Sequence, residues 1–192
     1  MKTEQASAEV QGTADMILSQ TERISRIVRT LIDFSRSGDN SDHTAVSLRS
    51  TVADAIQLLQ LDKSAKAVAF ENRVPDDVLV RGDSHQLTQV FVNLLANARD
   101  ASAAQGEILI TCEIAGDRTP VVRVVDSGSG IPAQLLDKVM EPFFTTKEPG
   151  EGTGLGLSLV YSIIRLHRGS IEITSPVSDN RGTCVTIRLI PA

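Results

Sequence analysis

The sequence predicts an α+β fold. A mixed, largely antiparallel sheet is covered by helices on one face and preceded by one long helix. Three observations carry this. Residues 107–115 and 121–125 alternate or run apolar around a Gly-Asp-Arg-Thr-Pro turn, as a hairpin does. Residues 89–101 (QVFVNLLANARDA) place Val90, Leu94, Leu95 and Ala98 at helical spacing. A longer helical seam near the N-terminus is cut off from both by a polar stretch, SGDNSDHT at 37–44.

Composition limits the function classes. Net charge is -5, which argues against a nucleic-acid surface. No apolar run reaches a membrane span and no secretory leader is recognisable, so an intracellular setting without membrane contact by this chain is expected. Cys112 and Cys184 lie singly in strand-like segments and are expected to be reduced. His43, His85 and His167 lack ligand spacing.

In chain order, residues 1–12 are polar. Thr13 to Arg36 reads as a helix. Ile17, Thr21, Ile24, Val28, Leu31 and Ser35 follow alternating steps of four and three, the seam of a coiled coil or bundle. Ile27, Ile32 and Phe34 widen it, and Glu22 and Arg26 form a favourable pair. The alternative is an amphipathic helix lying on its own domain. These features divide the chain into a helix over 1–38, a linker over 39–45 and a domain over 46–192.

Within that domain, Leu48 to about Lys63 is a core-facing helix through Val52, Ala55, Ile56 and Leu59. Residues 67–74 are strand-like and end at Pro75. Val78–Val80 is a short strand. Asp83 or Ser84 then caps the central helix, expected to run to about Ala104 and to stop at Gly106. Further strands are expected at 170–174 and 183–189, turning at Asn180-Arg181-Gly182.

Three stretches carry possible chemistry. Asn93, Asn97 and Asp100 share one face of the central helix, either a solvated face or the wall of a covered site. Asp126-Ser127-Gly128-Ser129-Gly130-Ile131 follows a strand, either a plain turn or a carboxylate delivered to a strand end beside a close-approaching backbone. A carboxylate buried there needs a donor, and the amino group of adenine is one. Glycines alternate at Gly150, Gly152, Gly154 and Gly156 just before an apolar helix with Leu157, Val160, Ile163 and Ile164. That is either a flexible loop or a set of free N–H groups offered to an anion. It is neither a Rossmann fingerprint nor a P-loop, since no βαβ unit and no Gly-Lys-Ser/Thr accompanies it. Phe143-Phe144 sits between these stretches as a candidate anchor for a mobile segment.

Asn-x-x-x-Asn, Asp-x-Gly-x-Gly, Phe-Phe and Gly-Thr-Gly-Leu-Gly-Leu, in that order, resemble the N, G1, F and G2 boxes of the ATP-binding domain of two-component sensor histidine kinases. The resemblance covers about residues 44–192 and is closest to the nitrogen- and dicarboxylate-sensing branch. The segment ERISRIVRTLIDFSR resembles the second helix of the family's dimerisation and histidine-phosphotransfer hairpin. The resemblance implies a Bergerat ATP-binding sandwich using ATP and Mg2+. It implies that Asp126 accepts from adenine beside Gly128, Gly130 and Ile131. Asn97 holds magnesium, Asn93 lies next to the transferring phosphoryl group, and Asp100 lines the same face. Lys147 and the Gly152, Thr153, Gly154, Leu155 and Gly156 backbone face the phosphates, with Phe144, Leu157 and Thr183 lining the site. Asn93 and Lys147 are the implied catalytic residues, and a lid runs from about Phe143 to Thr153. The implied partners are a response regulator and a second copy through the N-terminal helix, in the cytoplasm or in the cytoplasmic part of a membrane-bound sensor.

Two departures stand out. Arg168-Gly169 replaces paired glycines, and no histidine followed by an acidic residue occurs, since Thr44, Gln86 and Arg168 follow the three histidines. The expectation is a fragment cut within the hairpin, which binds ATP without labelling itself. Three rivals share the fold. A gyrase or mismatch-repair ATPase would need a glutamate base where Asn93 stands. An anti-sigma-type serine kinase would not need the long helix. The third is a nucleotide-binding or dimerisation module without catalysis.

Overall fold

The computed structural model describes residues 43–62, 66–148, 152–177 and 181–192, together with Thr21. The expected seam of the N-terminal helix, Thr21 aside, lies outside the described residues.

Among the described residues the order is β1 (Thr44–Ser47), α1 (Leu48–Gln60), β2 (Ala69–Arg73), β3 (Leu79–Gly82), α2 (Ser84–Ala101), β4 (Glu107–Ile114), β5 (Pro120–Asp126), α3 (Gly156–Leu166), β6 (Ser170–Thr174) and β7 (Thr183–Arg188). Five strands form one sheet in the order β2-β4-β5-β7-β6. Only β2 and β4 run parallel. Strands β1 and β3 pair separately. This is the mixed, largely antiparallel sheet that the hairpin pattern predicts.

Period-2 alternation decides which face is dry. Ile110, Val124 and Val185 share one row across the sheet, and Cys112, Val122 and Ile187 the next. All six are buried. Against them pack Leu87, Val90, Phe91, Leu94 and Leu95 of α2 and Leu159, Val160, Ile163 and Ile164 of α3. Leu48, Val52 and Ala55 of α1 complete this core. The third row holds Ile108, Asp126 and Thr183. The same alternation that buries Val124 therefore turns the Asp126 carboxylate under the helices.

The structure corrects three boundaries. Thr44 and Ala45, read as linker, open β1 and pair with Gly82 and Arg81. Helix α1 ends at Gln60, short of Lys63. Helix α2 ends at Ala101, not at Ala104, and Ser102 is extended. Remote groups take its last carbonyls: Lys66 Nζ donates to those of Asp100 and Ser102, and the Ser129 N–H to that of Ala101. With those acceptors occupied the helix can stop before Gly106. Of the two residues expected to cap the start of α2, Asp83 does so: its Oδ1 accepts the Gln86 N–H at 3.0 Å.

Candidate functional site

The polar face of α2, the end of β5, the loop after it and the start of α3 enclose a cavity of about 800 Å³. That size suits a nucleotide-sized ligand. Asn93, Asn97, Asp100, Asp126, Gly130, Ile131, Phe144, Lys147, Gly152, Thr153, Gly154, Gly156, Leu157 and Thr183 line it. The asparagine face of α2 is therefore a wall of this cavity.

Two residues singled out in the sequence do not line it. Gly128 lies behind the wall, where a Cβ would stand 2.5 Å from the Ala101 carbonyl oxygen. Its lack of a side chain serves close packing of the loop on α2. Leu155 is buried as the residue preceding α3. Nor do both phenylalanines anchor: Phe144 lines the cavity, whereas Phe143 is 65% exposed with φ of 68°. Conversely, Leu94, Val124, Ile173 and Val185 form an apolar part of the lining that motif reading passed over. Val124 was open to inference, since it shares the inward face with Asp126.

Asp126 is held by backbone. Its Oδ1 accepts the Gly128 N–H at 2.8 Å and the Thr183 N–H at 3.2 Å. Its Oδ2 has no hydrogen-bond partner among the described residues. Burial pushes the carboxyl above the usual aspartate range, against these two N–H groups, which favour the ionised form. A buried carboxylate with one oxygen free suits a ligand donor.

The other end of the cavity is arranged for an anion. Among the described residues no side chain caps the N-terminus of helix α3. Its first residue, Gly156, would carry a Cβ 3.5 Å from Asn93 Oδ1 and 3.9 Å from Asn97 Nδ2. Free N–H groups and the positive helix end thus meet the asparagine face. Asn93 Nδ2 donates to the Gln89 carbonyl at 3.0 Å, which leaves Oδ1 as an acceptor. Lys147 pairs through Nζ with Asp100 Oδ2. The expected lid is tied at its base, because the Phe143 N–H donates to the Gly154 carbonyl at 2.9 Å. Gly154 has φ of 66° and packs so closely on the Phe143 backbone that a Cβ would come within 2.3 Å. Residues 149–151 of that stretch lie outside the described residues.

Residues 82–192, more than half the chain, match the family described as histidine kinase-, DNA gyrase B-, and HSP90-like ATPases. The chain belongs to this ATPase family. Among its relatives, the sensor histidine kinase ZraS of Escherichia coli K12 is 31% identical over 96% of the chain, and sporulation kinase A of Bacillus subtilis is 32% identical over 90%. The chain spans only 38% and 28% of the length of those two proteins. The solved mycobacterial sensor histidine kinase MprB superposes with a TM-score of 0.68 at 27% identity, covering 78% of this chain and 99% of that one.

In this family member the chain's own histidines are structurally occupied or remote from the cavity. His167 is 2% exposed. Its Nδ1–H donates to the Ile163 carbonyl at 2.8 Å, and its Nε2 accepts the Asp83 N–H at 3.0 Å. His43, read as lying on a loose linker, instead stacks on the His167 ring at 4.6 Å. His85 lies in the first turn of α2 and does not line the cavity.

Burial, opposed by the Ile163 carbonyl, holds the His167 pKa below its ordinary value near 6.5. A histidine pKa lower in the folded than in the unfolded chain means that unfolding takes up a proton. The stability is complete above about pH 6.5, the unfolded value, and is lost progressively as pH falls through it. Urea midpoints should therefore drop between pH 7 and pH 5. His167→Leu should flatten that slope and cost about 1–3 kcal/mol, since the Asp83 N–H loses its acceptor. An unchanged slope would assign the pH dependence to other groups.

Proposed function

We propose that this chain is the ATP-binding catalytic part of a sensor histidine kinase. It directs the γ-phosphoryl group of Mg-ATP to a histidine supplied by a phosphotransfer hairpin, for relay to a response regulator. The observation that carries the reading is the pairing of a buried, half-satisfied Asp126 at one end of the cavity with an uncapped helix start facing Asn93 and Asn97 at the other. Family membership supports ATP as the nucleotide.

Asp126 Oδ2 accepts from the adenine amino group. Asn97 Oδ1 serves as the magnesium ligand, and the α3 N–H groups take the phosphate charge. Magnesium held by Asn97 would supply neutralisation of phosphate charge. Asn93 offers an acceptor beside the phosphoryl position, but as an amide it cannot activate water as a carboxylate base does. That favours transfer over hydrolysis and separates this chain from a gyrase-type ATPase. Lys147 is a catalytic residue in this reading and must exchange Asp100 for phosphate. Both partners are partly exposed, so the pair costs little to break.

The domain division at 1–38, 39–45 and 46–192 and a homodimer through the N-terminal helix complete the proposal, with the chain acting in the cytoplasm. Among the described residues no helix is long and apolar enough to cross a membrane.

Calorimetry tests the reading. ATP should bind only with magnesium present at full affinity, and GTP should bind poorly, because its ring carbonyl faces the Asp126 carboxylate. Equal affinities for ATP and GTP would sink the assignment. Amide exchange in Phe143–Thr153, where Phe143, Thr145, Thr146 and Glu148 are exposed, should slow on adding Mg-ATP, since ligand contacts must supply the ordering free energy. Unchanged exchange would remove the lid.

A further inference from the structure

Ser175 lies just after β6, 8% exposed, and does not line the cavity. Its hydroxyl is nevertheless fully used. Ser175 Oγ accepts the Ile131 N–H at 2.7 Å and donates to the Gly182 carbonyl at 2.9 Å. The Gly182 N–H in turn donates to the Gly128 carbonyl at 2.9 Å. Gly182 has φ of 78°, and a Cβ there would come within 2.5 Å of the Asp126 carbonyl oxygen. The next residue, Thr183, donates its N–H to Asp126 Oδ1. One hydroxyl therefore clamps the loop after β5 to the start of β7, and those two segments hold the Asp126 carboxylate from either side.

We propose that Ser175 is a positioning residue that sets the base selectivity of the cavity, by fixing Ile131 and Gly182 so that Asp126 Oδ2 keeps its aim. This rests on the assignment of Asp126 to adenine. The physical ground is that a single hydroxyl satisfies a donor and an acceptor on segments that are remote in sequence. The Ile131 N–H has no other partner among the described residues. A carboxylate aimed by such a clamp discriminates between bases only while the clamp holds, because discrimination needs the oxygen within hydrogen-bond distance and angle of the amino group. The phosphate end, built from α2 and α3, does not depend on Ser175.

The test compares ATP and GTP affinities, with magnesium, for the wild-type chain and two variants. Ser175→Ala should raise the Kd for ATP about 5- to 20-fold, the range expected for losing one or two buried hydrogen bonds. The Kd for GTP should stay within about two-fold, so that selectivity falls. Ser175→Thr, which keeps the hydroxyl, should restore selectivity. Should the alanine variant not fold, Ser175→Cys, with its weaker donor and acceptor, supplies the same comparison. Equal weakening of both nucleotides, or loss of stability with selectivity intact, would make Ser175 a packing residue only and overturn the proposal. A wild-type chain with no preference for ATP would instead remove the adenine assignment itself, and the proposal with it. The two failures are thus told apart by the wild-type ratio.

Discussion

Asp126→Asn is expected to weaken ATP binding by about 1.5–3 kcal/mol, roughly 10- to 150-fold, without lowering the stability of the fold. Both outcomes follow from the same geometry. The Gly128 and Thr183 N–H groups donate to Oδ1 alone, so an asparagine carbonyl oxygen can keep both bonds. The change falls on Oδ2, where an amide nitrogen would present donors to an amino group that is itself a donor. Stability moves the other way. Burial holds the folded pKa of Asp126 above the unfolded value, so the native state binds the proton more tightly. The ionised carboxylate then costs stability, a cost that sets in as pH rises through the folded pKa and is absent below the unfolded one. Asparagine removes it, and the urea midpoint at neutral pH should hold or rise. ATP affinity of the wild type should also decline on acidification earlier than an ordinary aspartate predicts, and the variant should lack that decline. Parallel loss of binding and stability would make Asp126 a structural residue.

Gly128→Ala should act by a different route and nearly as strongly. Its new Cβ would meet the Ala101 carbonyl oxygen at 2.5 Å and its carbon at 2.7 Å. Both are backbone atoms of the end of α2, so the loop must move. That displacement breaks the Ser129 N–H bond to the Ala101 carbonyl and carries Gly130 and Ile131 out of the cavity wall. A loss of about 1–3 kcal/mol in stability is expected, as for other overpacked sites, with at least a roughly ten-fold loss in ATP affinity. Gly116→Ala is the control. A Cβ there meets nothing within 4 Å, so the chain should be unchanged or more stable by about 0.4–1 kcal/mol. Similar effects of the two substitutions in urea and calorimetric titrations would refute this account of Gly128.

The elements were legible where periodicity and caps are local. Val90, Leu94, Leu95 and Ala98 marked the dry face of α2, and Asp83 marked its start. Its end was not legible, because Lys66 and Ser129, remote in sequence, take its final carbonyls. Strand β1 was hidden in a polar stretch, since its pairing with β3 places only Val46 in the core and leaves Thr44 and Ala45 exposed. The motif residues were legible as a set, but spacing could not separate a glycine that lines a cavity, such as Gly130, from one that packs on a helix, such as Gly128. Ser175 carried no motif signal at all. Its importance comes from three segments meeting in space.

The central claim is that a nucleotide site in this chain serves phosphoryl transfer to a histidine that is not His43, His85 or His167. Incubation with radiolabelled ATP and magnesium tests it directly, with the chain alone and with a separate helical hairpin bearing the acceptor histidine. The chain alone should acquire no acid-labile, base-stable phosphate, since His167 is buried between Ile163 and Asp83, His43 stacks on it, and His85 does not line the cavity. The added hairpin should become labelled, more slowly than within one molecule because the encounter is bimolecular. Stoichiometric label on any of the chain's own three histidines, or ATP bound tightly with no transfer to any hairpin, would contradict the account.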